Sequence, residues 1–192
     1  MSQTSSHQAL IIFVKNSVES PVESSDPLAG TYQQLLELSH QMPFKKYVFY
    51  DKFLDNEDIW ENKIHAKRLQ QGELLSEKIK KALEVVLNQE GFKRAVVISS
   101  ACPDISSQLL NKAFMALESH DVVIGPRPDG DFYLVGMSEI HEEVFKNPVE
   151  KDITLVRNTF NGLHSLNKSV YILPKLDDGL EASQGLSAVS NV

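Results

Sequence analysis

ALIIFV, residues 9–14, is an unbroken apolar run rich in branched side chains and bounded by polar residues. A strand with one face in water alternates apolar and polar residues. A strand without that alternation is covered on both faces, as in a parallel sheet packed between helices. Similar runs recur in RAVVISS (94–100), DVVIGP (121–126) and SVYILP (169–174). KKYVFYD (45–51) reads as the second strand and KIHAKRLQ (63–70) as a short one. PRPDGDFYLVG (126–136) places a turn at Pro128–Gly130 before an apolar strand over 131–136.

The segments between the strands are helical. Leu28 to Gln41 carries Leu28, Tyr32, Leu35 and Leu36 at a period near 3.6, and Pro43 closes it. Glu73 to Gln89 puts Leu74, Leu75, Ile79, Leu83, Val86 and Leu87 on one stripe and ends at Gly91. Ser106 suits the N-cap of a helix running to about Ser119. Short helices are expected near 140–146 and across 152–166. Trp60, in the acidic connection DNEDIWEN, is expected to anchor that segment by packing. Strands alternating with helices predict a three-layer α/β/α fold with a mostly parallel central sheet. In such sheets ligands bind beyond the carboxyl ends of the strands. The segments 15–27, 99–106 and 126–133 are therefore the places for chemistry.

The chain has 192 residues, enough for one domain with a real core and no staple. Residues 9–180 are read as that domain, 1–8 as a disordered tail and 181–192 as a polar C-terminal tail. The formal charge of −7 argues against a nucleic-acid partner, which calls for a basic surface. The six-residue run 9–14 is far too short for a membrane span, and no secretory pattern opens the chain. A cytoplasmic location is the default expectation. One cysteine, Cys102, excludes an intrachain disulfide framework and any zinc site built on several thiolates. Without a nearby histidine it reads as a small apolar turn residue rather than a nucleophile.

G-x-G-x-x-G, a P-loop and a G-x-S-x-G elbow are all absent. His7, His40, His65, His120, His141 and His164 are scattered with no pair at metal-ligand spacing, and each reads as an ordinary surface or packing histidine. Asp129-Gly130-Asp131 is literally D-x-D. Two carboxylates so placed can hold a hard divalent cation on a diphosphate. Pro-Asp-Gly is equally a common turn, in which aspartate is at home.

Several segments resemble, in order, a bacterial glycosyltransferase-like family of unknown function with the nucleotide-diphospho-sugar transferase (GT-A) fold. LIIFVKN resembles the family's opening I-x-F-x-K-N-P-x-P-G-x-V-K-T-R-L, and RLQQGELLSEKI (68–79) its R-L-Q-x-G-x-D-L-G-E-R-M. VVISSACPDIS (96–106) is similar to V-x-x-G-S-D-C-P-D-L-T. GPRPDGDFYLVGM (125–137) is similar to G-P-x-x-D-G-G-Y-Y-L-I-G-L, and LPKLDD (173–178) to the closing L-P-x-L-x-D-V-D-T. The resemblance covers about residues 9–180. It implies transfer from a sugar nucleotide, with a basic loop neutralising the diphosphate and a carboxylate holding a divalent cation on it.

The chain departs from the family at those positions. Glu23, Ser24 and Ser25 replace K-T-R, and Ala101 replaces the aspartate of S-D-C-P-D. Leu74 and Leu180 replace two further aspartates, whereas Asp178 is kept. Surviving positions make Lys15, Asn16, Gln70, Ser100, Asp104, Gly130 and Tyr133 candidate substrate-binding residues. Asp129 and Asp131 are the candidate catalytic residues, and no metal ligand is assigned. Asp131 stands where the family has glycine. The leading expectation is a transferase-like protein with lost or much reduced sugar-nucleotide transfer, needing no cofactor and having no identified protein partner. The alternative is an active glycosyltransferase with altered donor or metal use through Asp129 and Asp131. In that case a divalent Mg or Mn ion is implied. A third reading is a nucleotidyltransferase.

Overall fold

A computed structural model describes residues 7–15, 29–99, 104–146 and 155–176. The strands are β1 (Gln8–Val14), β2 (Lys45–Tyr50), β3 (His65–Leu69), β4 (Arg94–Ser99), β5 (Val122–Pro126), β6 (Phe132–Met137) and β7 (Val170–Ile172). The α-helices are α1 (Ala29–Gln41), α2 (Leu75–Glu84), α3 (Ser107–Ala116) and α4 (Leu155–Ser165). The seven strands form one sheet in the order β3-β2-β1-β4-β6-β5-β7. Strand β6 runs antiparallel to both its neighbours, β4 and β5, and every other pairing is parallel. The expectation of a mostly parallel sheet between helices therefore holds.

The pleat of β1 explains the layering. Leu10, Ile12 and Val14 point to one face and pack with Leu35 and Leu38 of α1 and Leu110 and Phe114 of α3. Ala9, Ile11 and Phe13 point to the other and pack with Leu83 and Val86 near α2 and with Leu163 of α4. Successive strand residues face opposite sides, so an uninterrupted apolar run serves two cores at once.

Helix boundaries depart modestly from expectation. The Glu73–Gln89 helix is α2 followed by a wider, π-helical turn over Val85–Gln89, ending before Gly91 at φ +77°. The short helix expected at 140–146 is a 3₁₀ turn, Glu142–Phe145. Ser106 caps α3 as expected, its hydroxyl accepting from Leu109 N at 3.2 Å. Leu74 stands at the same position of α2 and makes no side-chain cap bond.

Polar groups pin the 51–64 connection. Lys67 Nζ lies 2.7 Å from Asp58 Oδ1, and the Tyr50 hydroxyl donates to Asp58 Oδ2. Trp60 is buried and meets the His65 ring edge-on at 5.2 Å. No helix among the described residues is long and apolar enough to cross a membrane.

Candidate functional site

All the parallel strands end on one side of the sheet, and β6 begins there. Residues following β1, β3 and β5, and preceding β6, thus share that rim. Lys15, just past β1, is exposed, and its backbone is gripped by Tyr32. Lys15 N donates to the Tyr32 hydroxyl at 3.1 Å, which donates back to Lys15 O at 3.2 Å. Gln70 follows β3 and ties three strand ends together. Its Nε2 donates to Val14 O (3.2 Å) and Phe49 O (2.9 Å), and its backbone N donates to Tyr50 O.

The β5–β6 hairpin builds the rest of the rim. Gly130 N bonds Arg127 O at 3.2 Å, and Arg127 N bonds Asp131 O at 2.8 Å. Pro128 and Asp129 are therefore the central residues of a β-turn, and Gly130 takes φ +96° after it. Asp129 Oδ1 accepts from Asp131 N at 3.1 Å and lies 3.4 Å from Arg127 Nε. This is an Asx-turn, in which the carboxylate stands in for a backbone carbonyl. One oxygen of Asp129 serves the hairpin, and the nearest fixed cation is a guanidinium.

Asp131 does face a cleft. With Arg127, Ser99, Phe132 and the α2 residues Leu75 and Ile79 it lines a hollow of about 100 Å³ beyond β4. On the other side of the hairpin, Arg127 lines a second cleft of about 330 Å³ with Gly130, Arg157, Phe160 and Lys175. Three cations therefore meet on one concave surface of a chain whose formal charge is −7. Arg127 was not among the sequence candidates. It falls on a variable position of the G-P-x-x-D-G pattern, and only the turn shows that it stands between both hollows.

Tyr133 is almost fully buried and donates its hydroxyl to Pro174 O at 2.8 Å. Its ring lies over Gly125, where an added Cβ would come within 2.4 Å of it. The structure thus places Tyr133 beneath the rim as packing, with its polar atom already committed. Asp104 is exposed ahead of α3. Asn16 and Ser100 lie outside the described residues, as do Ala101, Cys102 and the 16–28 segment.

Among the described residues of the hairpin, one oxygen of Asp129 is held in the turn 3.4 Å from Arg127 Nε, so Asp129 and Asp131 by themselves do not form a carboxylate clamp for a divalent cation.

Residues 35–148 match a family described as an uncharacterized protein conserved in bacteria. The chain belongs to this DUF2064 family. Solved structures show the same fold. A candidate nucleotide-diphospho-sugar transferase from Desulfovibrio desulfuricans G20 superposes on this DUF2064 chain with a TM-score of 0.77 at 20% identity, over 94% of this chain and 89% of that one. A cytidylyltransferase from Leptospira borgpetersenii serovar Hardjo-bovis gives 0.57 at 13% identity, over 88% and 76%. A CMP:2-keto-3-deoxy-manno-octonic acid synthetase complexed with CTP gives 0.58 at 8% identity, over 90% of each chain. At such identities the likeness shows the fold, that of nucleotide-diphospho-sugar transferases. No curated protein matches this DUF2064 chain by sequence.

Sequence spacing also gave no sign of a grouping at the opposite rim, where His141, read as an ordinary histidine, stands with Asp121 and Glu139.

Proposed function

We propose that this chain is a nucleotide-diphospho-sugar transferase-like protein with lost or much reduced sugar-nucleotide transfer. The observation that carries this reading is the commitment of Asp129 to its own hairpin beside Arg127. A carboxylate that accepts a backbone N–H and borders a guanidinium is a poor ligand for a metal–diphosphate. The substitutions act in the same direction. Ala101 cannot ligate a cation, and Glu23 repels a diphosphate where the resembling family has lysine. Each lost charge-assisted contact costs on the order of 1.5–3 kcal/mol.

The test is a thermal-shift panel of nucleoside diphosphates and sugar nucleotides, with and without manganese. Each nucleotide is read against manganese alone. No shift is expected; a nucleotide-specific, metal-dependent rise overturns the reading. The repaired chain Ala101→Asp, Glu23→Lys, Ser25→Arg is expected to gain metal-dependent nucleotide binding.

One observation favours a second reading, transfer with altered metal use. Asp131 and Arg127 line the hollow beyond β4 together. Under that reading a nucleotide raises the melting temperature without manganese, and Asp131→Asn abolishes the effect.

A further inference from the structure

The amino rim of the sheet carries a cluster of different character. Asp121 immediately precedes β5, and Glu139 and His141 follow β6. The hairpin register pairs Val122 with Met137 and so brings these residues to one place. One ligand atom from each of Asp121, Glu139 and His141 lies within 4.8 Å of the others.

His141 makes this more than a patch of carboxylates. Its side chain is 7% exposed, and its Nε2 is buried with no hydrogen-bond partner. That nitrogen points into the cluster, 3.7 Å from Glu139 Oε1. A buried polar atom left unbonded costs folding stability, so its retention calls for an explanation. Burial, and then Lys168, hold the His141 pKa below the usual histidine value, which favours neutral imidazole with a lone pair to give. Asp121 is held low by bonds from Ser169, and Glu139 by Lys168, so both carboxylates are ionised at neutral pH.

Lys168 neutralises one of the two carboxylate charges. Its Nζ is 2.7 Å from Glu139 Oε1 and 3.7 Å from Asp121 Oδ1. It satisfies the carboxylates and leaves the imidazole unbonded. A cation that accepts a nitrogen lone pair satisfies all three groups.

We propose that Asp121, Glu139 and His141 form a site for a divalent transition-metal ion of the zinc or cobalt class. One imidazole with two carboxylates is a borderline donor set, suited to such ions rather than to calcium or magnesium. Ligand atoms around a tetrahedral ion at about 2.1 Å stand about 3.4 Å apart, so the set must contract by about an ångström. Glu139, with its side chain 61% exposed, is free to swing inward, and Lys168 swings out to solvent as it does. Asp121 needs little movement, since Ser169 N (2.8 Å) and Oγ (2.7 Å) hold its Oδ2 and leave Oδ1 facing the cluster. The ion ties the start of β5 to the end of β6, at the rim opposite the candidate cleft.

The test uses the full chain, stripped with chelator and titrated with Zn²⁺ by calorimetry and with Co²⁺ by visible absorption. One saturable equivalent is expected, with Co²⁺ bands of a nitrogen–oxygen site and a rise in melting temperature. His141→Gln and Glu139→Gln should each weaken binding at least tenfold. Glu139 is exposed, so its variant keeps the fold even if His141→Gln does not. Lys168→Met should tighten binding severalfold by removing the competing cation. His120→Gln should change nothing. Absence of a saturable site, or a site that Glu139→Gln and His141→Gln leave unmoved, overturns the proposal. These readouts involve no nucleotide and are independent of the proposed transferase-like function.

Discussion

The two rims of the sheet are built from different chemistry. At the carboxyl rim, side chains bond to the backbone: Gln70 to two strand ends, Asp129 to its own hairpin, Tyr133 to Pro174. The amino rim holds every histidine of the chain. His7 precedes β1, His65 opens β3, His120 precedes β5 and His141 follows β6, while His40 and His164 end the helices α1 and α4 that run back to that rim. Histidine is the side chain that ordinarily titrates between pH 5 and 8. The contrast sets a carboxyl rim whose described side chains are tied to the backbone against an amino rim that carries the imidazoles.

The largest expected effect tests the fixed geometry. Gly125→Ala places a methyl within 2.4 Å of the Tyr133 ring and should dislodge its bond to Pro174. Overpacking at such a contact should cost about 3 kcal/mol, read as a lower urea midpoint with an unchanged slope. A midpoint unmoved by this change would show the carboxyl rim to be pliable.

The next effect belongs to the amino rim. His65 is 1% exposed, with Nε2 2.8 Å from Ser39 Oγ, and burial lowers its pKa to about 4. Its folded value lies below the unfolded value of about 6.5, so the unfolded chain binds more protons between them. Stability should therefore fall as pH drops through that window, by about 2 kcal/mol between pH 7 and pH 5. His65→Gln should flatten that part of the stability profile in denaturant melts. An equally steep profile in the variant would move the acid response elsewhere.

The smallest pair compares two helix starts on the carboxyl rim. Ser106→Ala removes a working cap from α3 and should cost about 1 kcal/mol. Leu74→Asp supplies the missing cap of α2, where Leu74 already has the extended backbone a cap requires (φ −85°, ψ 150°). It should stabilise by up to about 1 kcal/mol, the bond from Glu73 N to Glu77 limiting the gain. Thermal melts of both variants check the signs.

Much of the fold was legible because β1, β4 and β5 are apolar on both faces, a demand that few other environments make. The short strand read over 63–70 is β3, despite His65 and Lys67 within it. The turn at Pro128–Gly130 is too short for a crossover and marks β6 as antiparallel to β5, whereas nothing local marks its place between β4 and β5. The rim was half legible. Pro128, Asp129 and Gly130 announced both a turn and a D-x-D, and the bond from Asp131 N shows one oxygen of Asp129 taking part in the turn. Arg127 and His141 were invisible for a common reason. Each acquires its surroundings from the β5–β6 pairing register, which no local pattern encodes.

That pairing register has a further consequence. Strands β4 and β5 share no ladder, so every interstrand hydrogen bond joining β5 and β7 to the rest of the sheet is routed through β6. Detaching β6 from β4 releases β5 and β7 along with it, as one piece. The sheet thus divides into a four-stranded block and a three-stranded block meeting along a single antiparallel seam, Ala95–Ile98 against Leu134–Met137. Amide protons along this seam should report the opening of the smaller block as a unit.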